Sequence, residues 1–199
     1  MDRRIWLAGV AALPAVALAI AGLFHPHSLN TDTADLWFRL HLAAMFLFPL
    51  VGLGLVAPLA GRRDPLAWAA RLGALVYAVA YTALDVISGV TAGYLTTRLP
   101  DGASRPEEIS WVFRIGTPVG EVGSWALLAT TALLLVDAVR RGRLAALPLV
   151  TLPAGAWAIH TDHIFAPIGV LGMALVAAGT AAAVLVSAVR PRAEATDRA

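Results

Sequence analysis

The chemistry-bearing side chains of this 199-residue chain are its five histidines and a few carboxylates set among apolar runs. His25, His27, His41, Asp85, Glu121, His160, Asp162 and His163 form the set of interest, and every histidine belongs to it. Imidazole and carboxylate are the donors that Zn, Fe, Mn or Cu(II) use when thiolates are missing, and the chain contains no cysteine. The same absence removes disulfides, iron–sulfur clusters and a cysteine nucleophile. His160 and His163 are three apart, a spacing compatible with one helical face, whereas His25 and His27 flank Pro26 and read as turn residues. Tyr77, Tyr81, Asp85 and Ser88 recur at helical spacing and predict one polar stripe. Glu121, Ser124 and Trp125 share a face in the same way.

The elements that must position these residues are apolar helices. Hydrophobic residues make up 59% of the chain and charged ones 14%, more apolar surface than a soluble core can hide. Stretches of about 20 apolar residues match the roughly 30 Å of hydrocarbon that a helix must cross. The expected fold is all-α: a polytopic integral membrane protein, one domain over 1–189, with six transmembrane helices near 5–24, 34–60, 65–95, 117–140, 144–159 and 164–189. A polar cytoplasmic tail over 190–199 follows. The first run could be read as a signal peptide with Ala17 and Ala19 at its cleavage site, but its apolar core is long and five more segments follow, so an uncleaved helix is expected. Pro49 should bend the second helix, and Pro148 and Pro153 the fifth. Ser104 and Glu107 have capping-box spacing ahead of a short interfacial helix, after which Thr117 and Pro118 would open the fourth crossing.

Charge sets the orientation. All fifteen basic residues are arginine, and eleven fall on the side that holds both termini, against Arg39, Arg98, Arg105 and Arg114 on the other. Cytoplasmic loops retain positive charge, so both termini are expected in the cytoplasm and the protein in the cell membrane as a multi-pass chain. Trp6 and Trp68 would then mark the inner interface, and Trp37 and Trp111 the outer. Four crossings would follow instead if the last two segments were a re-entrant pair. Asp137 with Arg140 and Arg141 reads as a surface ion pair. Gly116, Gly120 and Gly123 read as a close-packing stripe. The arginines sit in short loops rather than on one soluble face, which argues against nucleic acid as a partner.

In this topology the whole set gathers toward the extracytoplasmic side. Asp85 lies deepest, about 15 Å below the end of its helix, where an ionised carboxylate costs at least about 2.5 kcal/mol and requires a partner. The expected site is a transition-metal centre with His41, His160, His163 and Asp85 as ligands and Glu121 as general base, Asp85 serving as ligand or orienter. His25, His27, Tyr81, Ser88, Ser124, Trp125 and Asp162 are further candidates for the pocket wall. The lipid bilayer is the expected surroundings and a small lipophilic molecule the expected substrate. Other readings are metal-free acid catalysis by Asp85 and Glu121 of the isomerase or cyclase type, a proton-coupled carrier, haem held by His41 with His160 or His163, and a non-catalytic membrane subunit.

The inventory of His41, Asp85, His160 and His163 resembles that of the membrane hydrolases that include the alkaline ceramidases and the adiponectin-receptor type. Those families place a zinc between a His and an Asp on early helices and two His on the last. This chain departs from them: it has His160-Thr-Asp-His163 where they have H-x-x-x-H, and Trp37 where they carry a Ser before the first His. They also have seven helices. The resemblance implies that such a ligand set can be assembled in a helical bundle, and no membership is drawn from it.

Overall fold

The computed structural model describes residues 2–187, and among the described residues there are helices and no strand. The expected tail over 190–199 and the end of the sixth expected helix lie outside the described residues. Five helical stretches are long and apolar enough to cross a membrane: Arg3–Leu23, Ala34–Leu59, Pro65–Thr96, Glu107–Arg141 and Ile168–Ser187.

Helix α1 (Arg3–Leu23) is capped by the Asp2 carboxylate, which accepts from the Arg4 N–H at 2.9 Å. The second stretch consists of α2 (Ala34–Ala44), α3 (Leu47–Val56) and a 3-10 turn at Ala57–Leu59. Its discontinuity falls at Met45 and Phe46, one turn before Pro49, whose missing N–H leaves the Met45 carbonyl without its i+4 donor. The carbonyl of Met45, freed at the break, accepts from Thr82 Oγ1 at 3.3 Å.

The third stretch starts at α4 (Pro65–Leu84), capped by Asp64, and continues as a π-helical segment (Asp85–Thr91) and α5 (Ala92–Thr96). Helix α6 (Glu107–Arg141) is continuous over 35 residues, so the expected interfacial helix and the expected fourth crossing are one element, with Pro118 inside it. Packing explains the continuity. Gly116, Gly120 and Gly123 lie against Ser88, Leu84 and Tyr81, leaving no room for a Cβ, so α6 is held to the third stretch on both sides of the proline.

The expected fifth helix is divided into α7 (Arg143–Ala146), a 3-10 turn (Leu147–Val150) and α8 (Thr151–Asp162), and α9 (Ile168–Ser187) completes the chain. Arg141, at the end of α6, reaches Ser187 Oγ at the end of α9 with an N···O distance of 3.3 Å, whereas the ring of His163 lies 6.3 Å from that of His25 at the other end. Residues 142–163 therefore run the length of the bundle, even though α8 alone covers only about 18 Å.

The core holds Leu18, Phe48, Leu55, Tyr77, Leu127, Leu152 and Met173, all fully buried. The outer surface is apolar, with Leu13, Leu53, Leu72, Val79, Ile115 and Leu171 more than half exposed, as expected for helices whose solvent is hydrocarbon. Trp6, Trp68 and Trp111 lie on that surface, but Trp37 is buried and belongs to the site described below. Asp137 is also buried, contrary to the expected surface pair: Arg62 Nη1 approaches it at 2.7 Å and Arg141 bonds it from the next helical turn. Arg62 further grips Asp64 at 2.8 Å, which ties the start of α4 to the end of α6.

Candidate metal centre

Trp37 and His41 lie one helical turn apart on the buried face of α2. Their rings stack with centroids 4.8 Å apart and an interplanar angle of 29°. The Trp37 indole donates to the carbonyl of Ser88 at 3.2 Å, fixing α2 against the π-helical segment. His41 Nδ1 lies 2.7 Å from the Trp37 carbonyl. A carbonyl only accepts, so Nδ1 carries the proton and Nε2 presents a bare lone pair. Gly89 makes the close approach possible, because a Cβ there would clash with the His41 side chain.

The π-helical segment supplies the carboxylate. Such widened turns recur at functional sites, where they re-aim side chains that a regular helix would point elsewhere. Asp85 is completely buried, and neither of its oxygens, nor Ser88 Oγ nor the Tyr77 hydroxyl, has a hydrogen-bond partner among the described residues. Its Oδ1 stands 4.0 Å from His41 Nε2. Arg39 does not serve it, being bonded to Asp35 at 3.0 Å on the exposed face of α2.

His163 follows the last residue of α8 with φ +50°, a left-handed conformation that ends the helix and turns the ring inward. There it stacks on Tyr81, centroids 5.6 Å apart. Donor atoms of His41, Asp85 and His163 all lie within 4.8 Å of one another. His25, just beyond α1, is buried with its Nε2 3.2 Å from that of His41. Burial, set against the hydrogen bond to Pro26, holds His25 below the usual histidine range. Its ring is neutral near pH 7, the form in which imidazole binds a metal.

These residues line one cavity of about 300 Å³ together with Ser88, Glu121, Ser124 and His160, and with Leu84, Phe113, Ile159 and Phe165 as apolar wall. His160 is the main departure from the expected ligand set. Because α8 continues through Asp162, His160 sits in its last turn facing α6, where its Nδ1 lies 2.8 Å from Ser124 Oγ. The three-residue spacing to His163 places the two rings apart, since the helix ends between them. Glu121 reaches the cavity from an exposed position on α6. Three expected wall residues lie outside it: His27 is exposed and stacked on Phe165, Trp125 is 57% exposed against His160, and Asp162 closes α8.

Trp37 and Gly89 were not among the sequence candidates. The four-residue step from Trp37 to His41 was a legible signal, whereas nothing in the pattern singled out Gly89. A porphyrin between His41 and His163 would have to occupy the place of the Asp85 carboxylate, so the arrangement suits a small cation and not haem. No family model, no curated protein and no solved structure matches this chain.

Proposed function

We propose that the protein is a six-crossing membrane protein with both termini cytoplasmic, in which His41, Asp85 and His163 bind a divalent transition-metal ion and the cavity accepts a small lipophilic substrate. The observation that carries this reading is the Asp85 carboxylate, buried without a donor 4.0 Å from the bare Nε2 of His41. A buried carboxylate without donors is costly unless a cation joins it, and the neighbouring donors are those of Zn, Fe, Mn or Cu. Residues 142–163 supply the additional crossing, and the arginine bias supports the orientation.

A bound ion of this class polarises a carbonyl or lowers the pKa of water. The chain's own residues supply the rest of the chemistry. Leu84, Phe113, Ile159 and Phe165 suit an apolar body, while Ser124 and His160 offer a hydrogen-bonded pair to a polar end. Glu121, on the same wall and open to the exterior, is placed to accept a proton and pass it out.

Metal-free acid catalysis is the second reading, favoured by the same unpartnered Asp85, whose protonated carboxyl would be the acid. A proton-coupled carrier is supported less. The cavity stops short of the end where Asp137, Arg62 and Arg141 are clamped, and Thr130 and Thr131 between them bond their own helix. Elemental analysis of the detergent-purified protein beside Asp85→Asn tests the metal reading. Stoichiometric Zn, Fe, Mn or Cu that is lost in the variant supports it. A wild type that stays metal-free after incubation with each ion sinks it and leaves acid catalysis.

A further inference from the structure

We propose that His25 is a further ligand of the ion, so that the site offers three imidazoles and one carboxylate; this rests on the metal reading above. The inference comes from the tautomers. His25 Nδ1 lies 2.8 Å from the Pro26 carbonyl and His41 Nδ1 lies 2.7 Å from the Trp37 carbonyl. Each Nδ1 must donate, which leaves both Nε2 atoms as unprotonated acceptors. Yet these two atoms face one another at 3.2 Å in a buried setting. Two lone pairs aimed together repel, and a cation between them removes the conflict.

The separation fits a metal. Imidazole nitrogens bind such ions at about 2.0–2.1 Å. Two of them 3.2 Å apart therefore subtend roughly 100° at a shared ion, between the octahedral and tetrahedral values. The pair is held there before any ion arrives. Phe165 and Trp37 pack edge-on against His25 at 4.6 and 4.8 Å, and Trp37 stacks on His41. His27, two residues on, is exposed and stands outside the cavity, which makes it the internal control. Three imidazoles favour Zn, Fe, Co, Ni or Cu over Mg or Ca.

The test loads the full chain in detergent with Zn(II) or Co(II) and counts imidazoles by X-ray absorption, alongside affinity titrations of His25→Ala and His27→Ala. Three imidazoles in the wild type are expected, with affinity reduced about 100-fold or more in His25→Ala and unchanged in His27→Ala. A stoichiometric ion with only two imidazoles overturns the assignment of His25 and leaves the metal reading standing. So does unchanged affinity in His25→Ala. A wild type that takes up neither ion refutes both. The imidazole count is made on the wild type, so the proposal remains decidable even if His25→Ala fails to fold.

Discussion

Gly89 packs directly against His41, whose side chain occupies the space that any side chain at position 89 would need. The π-helical segment and α2 are thereby locked at a separation that only glycine permits. Gly89→Ala must push the imidazole away from Asp85 or separate the two helices. We expect metal affinity, by calorimetric titration, to fall at least about tenfold in a variant that still purifies as a helical monodisperse species. Gly9→Ala is the control, since a Cβ there meets nothing within 4 Å. Equal affinity in both variants would show that the His41 position does not depend on Gly89.

At the opposite end of the bundle, Asp137 serves two guanidinium groups while almost hidden from solvent. Removing one member of such a group leaves buried charge without compensation, at a cost of about 3 kcal/mol or more. Asp137→Ala should therefore lower the unfolding midpoint in detergent by far more than Asp35→Ala. The Asp35–Arg39 pair is exposed on both sides and is worth under about 1 kcal/mol. Similar losses in the two variants would mean that the buried clamp adds no more than a surface pair.

How much of this was legible beforehand depended on which kind of pattern each feature follows. Apolar runs and the stripe of Tyr77, Tyr81, Asp85 and Ser88 follow helical periodicity, and each of those four residues is buried. That His41, Asp85 and His163 come together follows from residue type and depth, which the sequence carries. His160 was misplaced because one residue of helix length decides whether it faces α6 or the cluster, and helix ends are where local signals are weakest. The boundary at Thr117 and Pro118 failed for a different reason. Its local chemistry was that of a helix start, but tertiary packing of the glycine stripe overrode it. Asp137 was read as a surface residue because its i, i+4 arginine is visible in sequence, while Arg62, 75 positions away, is not.

Asp64 gives the fold a dependence on acid. The Arg62 guanidinium, hydrogen-bonded to it, holds its carboxyl at about 2, below the ordinary 3.8. The charged form is thus favoured by folding, so its contribution is complete above the ordinary value and is lost as the pH falls from about 4 to about 2. Asn in its place keeps an oxygen to cap the Ala67 N–H but has no charge to titrate. Wild type should therefore be the more stable above pH 4, with the gap to Asp64→Asn closing across that window. Thermal unfolding of both proteins at stepped pH measures it, and a gap that stays constant down to pH 2 would remove Asp64 from the account.

Metal removal should be visible as lost stability. The donors come from α2, the π-helical segment and the turn before α9, elements far apart in sequence that a bound ion would join directly. Anything that binds the folded state alone stabilises it by mass action, about 2.7 kcal/mol when the free ion stands at 100 times its dissociation constant. Unfolding midpoints should therefore rise with added Zn(II) and fall with a chelator in the wild type. Asp85→Asn should show neither response, because the amide replaces the one anionic donor. Asp137→Ala should start lower yet gain nearly the full increment, since its lesion lies at the other end of the bundle and the two effects should add. A midpoint indifferent to both ion and chelator in the wild type would mean that the buried carboxylate and imidazoles are satisfied without metal, and would turn attention to the acid form of Asp85.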